Sequence, residues 1–142
     1  MKTSRGYSLV EALITVAVVA TLSAVSMPKA SGILGTMALR NDAQQVAALC
    51  QSARFLSVSN KSSYRLHWNG AKLELQMLAN GTYSTVDSHT LSAPVAVGSL
   101  WSADPVFSPR GVVTPAVTLV LRHGSGLQRT ITVSITGLVR QQ

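Results

Sequence analysis

The most regular pattern in the chain is an apolar run over residues 9–27, which follows a short polar segment containing Lys2 and Arg5. These nineteen residues would rise about 28 Å as a helix, close to the roughly 30 Å of a bilayer's hydrocarbon core. The run therefore predicts a helix of membrane-spanning length. Small hydroxyl side chains within it favour a segment that can also pack closely among other helices, namely Thr15, Thr21, Ser23 and Ser26.

The pattern becomes amphipathic over residues 36–59. Apolar positions there recur every three or four residues and predict a single stripe, formed by Val46, Leu49, Cys50, Ala53 and Leu56. One long helix that continues from the apolar run is the simplest interpretation. Pro28 lacks a backbone donor and is predicted to kink the helix or to melt it locally.

The remainder of the chain predicts β-structure. Residues 64–68 and 72–78 alternate between apolar and polar, and Asn69-Gly70 between them favours a tight turn. Residues 83–86 and 94–98 are shorter candidate strands, Phe107 is a predicted core anchor, and residues 116–122 and 127–135 form the clearest hairpin. About 80 residues make a small core, so we expect the sheet to bury one face against the helical stripe. The predicted fold is α+β, a lollipop-shaped molecule with a long helix packed on a small antiparallel sheet.

Composition argues against catalysis. The chain carries a formal net charge of +7, and its five acids lie far apart in sequence without a pattern typical of general acid–base chemistry. The three histidines lack metal-ligand spacing, and Cys50, the single cysteine, lies on the apolar stripe as a small buried residue. Gly124-Ser125-Gly126 lacks the lysine of a phosphate-binding loop and instead predicts the turn of the hairpin. We therefore predict a protein that is not an enzyme and that needs no metal or cofactor.

Glu11 is the exception within the apolar run. A carboxylate in the bilayer costs about 2.5–3.5 kcal/mol on insertion scales, so it requires a positively charged partner, most simply on another subunit. The segment Gly6-Tyr7-Ser8-Leu9-Val10-Glu11 resembles the prepilin leader of type IV pilins and type II secretion pseudopilins, whose usual pattern is Gly-Phe-Thr-Leu-Ile-Glu. The alternatives are a simple membrane anchor, or a secretory signal cleaved near Ala24-Val25-Ser26, and both leave Glu11 unexplained.

The resemblance implies a processing route and a topology. A membrane prepilin peptidase would cut after Gly6 and methylate the new amine of Tyr7, and Glu11 would pair with that amine during subunit docking. Residues 1–6 would form the leader, residues 7–35 the transmembrane and filament-core helix, residues 36–60 the amphipathic stem and residues 61–142 the β-rich head. The N-terminus would stay in the cytoplasm, as Lys2 and Arg5 favour, with the head on the periplasmic side of a bacterial inner membrane. The implied partners are other pilin or pseudopilin subunits, the peptidase, the inner-membrane assembly platform and membrane lipid.

Two short motifs in the head narrow the resemblance. Phe107-Ser108-Pro109-Arg110-Gly111 and the closing Thr136-Gly137-Leu138-Val139-Arg140 resemble the GspH/FimT-like group of minor pilins and pseudopilins. This implies a subunit that assembles into, or primes the tip of, a type II secretion pseudopilus or a type IV pilus.

The alternative function is DNA binding for uptake in natural transformation. Four arginines after Asp104 would then contact phosphates: Arg110, Arg122, Arg129 and Arg140. DNA-binding members of the group have a Gly-Arg-x-Arg pattern, which Gly137 and Arg140 match but in which Leu138 replaces an arginine. A basic edge that prevents strand pairing is the competing interpretation, and we favour it.

Overall fold

The structure is a computed structural model that describes residues 8–142, and within them the side chains outside residues 25–32. This part of the chain holds one helix, α1 (Leu9–Ser59), followed by nine strands. The chain divides into two compact units, Met1–Leu34 and Gly35–Gln142.

The first unit contains the beginning of α1. The carbonyl of Ser8 accepts hydrogen bonds from the backbone N–H groups of Glu11 (3.0 Å) and Ala12 (3.2 Å), which starts the helix. The hydroxyl of Thr15 donates to the carbonyl of Ala12 at 2.8 Å, and Thr21 does the same to Val18. Because these hydroxyls are satisfied within their own helix, they leave the apolar character of its surface largely intact. Among the residues that the structure describes, no helix is both long enough and apolar enough to cross a membrane.

In the second unit, α1 buries the predicted apolar stripe. Val46, Leu49, Cys50 and Ala53 are at most 7% exposed, while Leu56 is half-buried. Gly35 is buried within the helix, since a Cβ there would lie 2.5 Å from Cε1 of His123. The absence of a side chain at Gly35 lets the imidazole ring pack directly on the helix backbone.

The strands of the second unit form two antiparallel sheets. Sheet A has the order β3-β2-β1-β5-β6 and sheet B the order β4-β7-β8-β9. The strands are β1 Tyr64–Trp68, β2 Lys72–Ala79, β3 Thr82–Thr90, β4 Val95–Ser99, β5 Val106–Phe107, β6 Val113–Thr114, β7 Val117–His123, β8 Gln128–Val133 and β9 Val139–Gln141. The predicted hairpin thus corresponds to β7 and β8, with ends shifted by one or two residues.

A single core joins the stripe of α1 to both sheets. Leu66, Leu75 and Phe107 of sheet A and Leu121 of sheet B are fully buried in it. The prediction that Phe107 anchors the core is therefore confirmed. The fold is α+β with a long N-terminal helix, as expected. The head has two sheets where one was expected. Strand β6 stops after two residues, because the following Pro115 has no backbone N–H to continue the ladder.

Candidate functional site

The N-terminal motif lies at the border of the described residues. Gly6 and Tyr7 lie outside them, so cleavage after Gly6 and methylation of Tyr7 remain predictions. Glu11 lies in the first turn of α1, where the helix dipole favours a negative charge, and its side chain is exposed. Within residues 8–142, excluding the side chains of 25–32, its carboxylate has no hydrogen-bond or ion-pair partner.

Glu11 is surrounded by an apolar helix surface. Between residues 9 and 22, eight large apolar side chains are between 51% and 76% exposed: Leu9, Val10, Leu13, Ile14, Val16, Val18, Val19 and Leu22. Such a surface is stable only when lipid or other apolar helices cover it. The helix runs on through Pro28, whose side chain lies outside the described ones, so the predicted kink also remains a prediction.

A buried carboxyl group ties α1 to the end of sheet A. Asp42 is 0% exposed, and its Oδ1 lies 3.1 Å from both Nε2 of His89 and the hydroxyl of Ser92. The backbone N–H of Ser92 donates to Oδ2 at 2.9 Å. Both side chains bond to Asp42 rather than to one another. The group therefore lacks the nucleophile–base hydrogen bond of a hydrolytic triad and serves to fix the helix.

A β-bulge makes this contact possible. Gln76 of β2 pairs with Thr85 of β3, but the preceding Leu75 pairs with Asp87, so Val86 is an extra residue in β3. An extra residue reverses which side chains face inward from that point on. His89 then pairs with the buried Leu73 on the inner face of sheet A, within reach of Asp42.

The outer face of sheet A carries a polar network centred on Glu74. Its carboxylate accepts hydrogen bonds from Asn69 (2.8 Å), Gln76 (2.9 Å) and Thr85 (3.1 Å), and Nζ of Lys72 lies 3.2 Å away. The hydrogen bond from Gln76, followed by the interactions with Lys72 and Thr85, lowers the pKa of the Glu74 carboxyl below its ordinary value despite the opposing effect of burial.

The loop after β4 closes onto the same outer face. One oxygen of the Asp104 carboxylate lies 2.7 Å from Nδ1 of His67, and the other accepts a hydrogen bond from the indole N–H of Trp101 at 3.2 Å. Arg65 stacks on the ring of Tyr83, with its Cζ atom 3.7 Å from the ring centroid. The polar atoms of the loop are thus held in internal contacts that anchor it to β1.

The remaining titratable groups are also separated. His67, His89 and His123 contact Asp104, Asp42 and Ser125 respectively, and the described side chains include no cluster suited to a metal ion. Burial raises the pKa of the Cys50 thiol to about 12, against a smaller lowering by a backbone hydrogen bond. This thiol is therefore protonated and inert at neutral pH.

The four arginines predicted as nucleic-acid contacts lie on different surfaces. Arg122 and Arg140 share the outer face of sheet B, since Arg122 pairs with Gln128 and Arg140 with Thr132. They lie four residues apart along the strands and two strands apart across the sheet, which is roughly 13 Å by roughly 10 Å. Arg129 pairs with the buried Leu121 and belongs to the other face, and Arg110 lies in the turn before β6.

The side chain of Arg54 is held against two glycine turns, and the sequence patterns did not predict this contact. Two four-residue turns, at residues 108–111 and 134–137, end in Gly111 and Gly137, each with φ of +76°. A Cβ on Gly137 would lie 2.7 Å from Cδ of Arg54, and one on Gly111 would lie 3.6 Å from its Nε. The arginine side chain therefore lies across both glycine turns. The turns recur as Ser-x-x-Gly in the sequence, but nothing in that pattern indicates a helix residue more than fifty positions earlier.

Comparisons with known proteins agree with this architecture. Residues 1–27 match the prokaryotic N-terminal methylation motif. The structure is similar to the type IV minor pilin FimU of Pseudomonas aeruginosa, with a TM-score of 0.61 and 19% identity over 73% of this chain and 87% of FimU. A second crystal form of FimU gives a TM-score of 0.60, with 18% identity over 73% of this chain and 92% of FimU.

The minor pseudopilin EpsH from the type 2 secretion system of Vibrio cholerae is similar to the same degree. Its TM-score is 0.63, with 13% identity over 73% of this chain and 95% of EpsH. No curated protein matches the sequence significantly. The chain thus combines a prokaryotic N-terminal methylation motif with the fold of minor pilins and pseudopilins, as the resemblance predicted. That fold occurs in a pilus protein and in a secretion protein alike, and it leaves the choice between the two systems open.

Proposed function

We propose that this chain is a minor pilin or pseudopilin, a non-enzymatic subunit that assembles with other pilin-like subunits. The observation that carries the proposal is the methylation motif at residues 1–27, which includes the first turns of a helix whose apolar side chains are exposed on all sides between residues 9 and 22. Such a helix requires a lipid or protein environment, and a pilin-like subunit occupies both in turn.

In this proposal the chain is first a bacterial inner-membrane protein. Residues 1–6 remain in the cytoplasm and the head faces the periplasm, with the helix in lipid. The prepilin peptidase cuts after Gly6, methylates the amine of Tyr7, and leaves the helix free to move into a filament through the assembly platform.

Glu11 then acts in docking. Its carboxylate is exposed and has no partner among the described residues. In an apolar filament core, the amine of Tyr7 of a neighbouring subunit would neutralise it, and only a pair of opposite charges can be buried there at tolerable cost. Docking would thus depend on cleavage, because cleavage creates the amine.

Within the assembly, we propose that the subunit lies at or near the filament tip. There it would prime a type IV pilus or a type II secretion pseudopilus. The similarity to FimU and EpsH, named as a minor pilin and a minor pseudopilin, supports a minor subunit. Nucleic-acid binding is not our proposal for the function, because Arg110, Arg122, Arg129 and Arg140 do not share one surface.

The test is the mass of the mature N-terminus after co-expression with a prepilin peptidase. We expect a chain shortened by residues 1–6 with one methyl group on Tyr7, and no shortening of a Gly6→Leu variant. Ala24→Leu is the matched control, because it would block cleavage by a secretory signal peptidase at the small-residue stretch while leaving the prepilin cut intact. A cut near residues 24–26, or an uncleaved chain, would refute the proposed function.

A further inference from the structure

The second unit has an exposed, largely apolar surface around Arg54. We call it the twin-turn surface and define it by the turns at residues 108–111 and 134–137 and the exposed side chains around them. Its members are Arg54, Phe55, Val58, Arg110, Val112, Ile135 and Leu138.

The two turns form one structural unit beneath Arg54. The backbone N–H of Val113 donates to the carbonyl of Ile135 at 2.8 Å, which links the chain after one turn to the other turn. A Cβ on Gly137 would lie 3.2 Å from the carbonyl oxygen of Gly111, so the glycines are also in close contact. Gly111 and Gly137 are both buried, whereas Arg54 above them is exposed.

The side chain of Arg54 is exposed, and its stem is restrained by the two glycine turns. Its atoms Cδ and Nε lie against Gly137, and Nη2 lies 3.9 Å from where a Cβ of Gly111 would be. In the part of the chain that the structure describes, the guanidinium has no hydrogen-bond or ion-pair partner. A planar donor group whose stem is already restrained loses less freedom on binding a carboxylate than a freely rotating one.

The surroundings of Arg54 are apolar. Val58, one helical turn later, is 50% exposed and has Cγ2 3.5 Å from the Cβ position of Gly111, and Phe55 beside it is 71% exposed. Ile135 and Leu138, at 59% and 51% exposed, flank Gly137. A groove of about 470 Å³ that Ile135 also lines opens next to the surface. Arginines among exposed aromatic and aliphatic side chains, here Arg54 and Arg110, are typical of protein interfaces.

We infer that the twin-turn surface docks a different protein subunit, one that presents a carboxylate beside an apolar side chain. A second copy of this chain is a poor match. Residues 35–142 hold nine basic and four acidic residues, so two copies with a net charge of +5 each repel one another. Asp87 is the only exposed acid of the four, because Asp42, Glu74 and Asp104 are bound internally. Nucleic acid would leave the apolar side chains without partners. The inference rests on the proposed function for the class of partner, another pilin-like subunit of the same assembly.

The test titrates the full chain in detergent against each of the other pilin-like subunits encoded with it, also full length, and against duplex DNA and the chain itself. We expect one subunit to bind, Arg54→Ala to weaken its affinity at least tenfold, and Arg54→Lys to weaken it less because lysine lacks the bidentate fork. Arg122→Ala is the matched control. That side chain also lies on a glycine, Gly98, but on the outer face of sheet B, and we expect a change below twofold.

A second variant keeps the test decisive if Arg54→Ala impairs folding. Phe55→Ser removes a side chain that is largely exposed, so it should leave thermal unfolding unchanged and still weaken binding at least fivefold. Replacing the partner's carboxylate by lysine should abolish binding, and Arg54→Glu should restore it. The inference would be overturned if none of the subunits bound, or if neither variant altered the binding. Self-association of the chain, or binding to DNA alone that depends on Arg54, would also overturn it. Mass spectrometry of the N-terminus of the same preparations tests the proposed function separately, because it shows whether the chain is cut after Gly6.

Discussion

Asp42 places a carboxyl group on the buried, mostly apolar face of α1. The residue itself is fully buried. Its cost of burial is offset by three donors that all come from the chain segment around His89 and Ser92. A helix residue thus fixes the end of an edge strand that has few other buried contacts.

Replacing Asp42 by alanine should destabilise the protein by about 1.5–3 kcal/mol, the usual worth of hydrogen bonds to a charged group. The reason is that His89 and Ser92 would lose their common acceptor. Chemical denaturation of the variant measures the loss in the free energy of unfolding. Asp87→Ala is the control, because Asp87 is exposed on β3, the strand that also contains His89. Its effect on the free energy of unfolding should stay within about 0.5 kcal/mol. Asp42→Ala combined with His89→Ala should cost less than the two single changes together, and strict additivity would contradict the contact.

Among the elements, the turns separate what a sequence pattern can predict from what it cannot. Asn69-Gly70 and Gly124-Ser125-Gly126 marked turns correctly, because glycine at positive φ is a local requirement. The stripe of α1 was likewise predictable from spacing alone. The bulge at Val86 was not, since it depends on how β2 and β3 pair, and without it His89 cannot be placed near Asp42.

The contact of Arg54 with the glycine turns was beyond sequence patterns for the same reason. Gly111 and Gly137 lie far apart along the chain, and the backbone hydrogen bond between Val113 and Ile135 brings their turns together. Only the fold then shows that these glycines have two functions. They permit a positive φ, and they leave room for the arginine.

A double-mutant cycle separates these two functions. Gly126→Ala introduces strain at φ of +88° with no atom within 4 Å of the new Cβ, so it should cost about 1–2 kcal/mol. Gly137→Ala should cost about 1–3 kcal/mol more, because the new methyl group also overlaps the Arg54 side chain. Adding Arg54→Ala should remove the part of that excess that comes from the arginine, while the contact with the carbonyl oxygen of Gly111 at 3.2 Å remains. It should change nothing at residue 126. Denaturant titration measures the free energy of unfolding of each variant. Equal losses at Gly137 and Gly126 would show that Gly137 does not make room for the Arg54 side chain.

For the whole molecule, the two units place different requirements on their surroundings. Residues 35–142 bury a complete core that joins one helix face to two sheets. In the first unit, the large apolar side chains between residues 9 and 22 are exposed on all sides of the helix. This division fits a subunit whose head keeps its structure while its N-terminal helix passes from lipid into a filament, as we propose.

Glu11 is where that transfer can be tested. Glu11→Ala should leave cleavage and membrane insertion unchanged, since it removes a charge that lipid disfavours. It should lower incorporation with partner subunits at least tenfold, because the amine of Tyr7 loses its acceptor. Quantitative blotting of sheared or cross-linked filaments measures incorporation. Thr15→Ala is the matched control one helical turn later, where the hydroxyl already bonds to Ala12 within its own helix, and it should assemble normally. Wild-type incorporation of Glu11→Ala would show that assembly does not use this carboxylate, and the apolar surface alone would then have to drive docking.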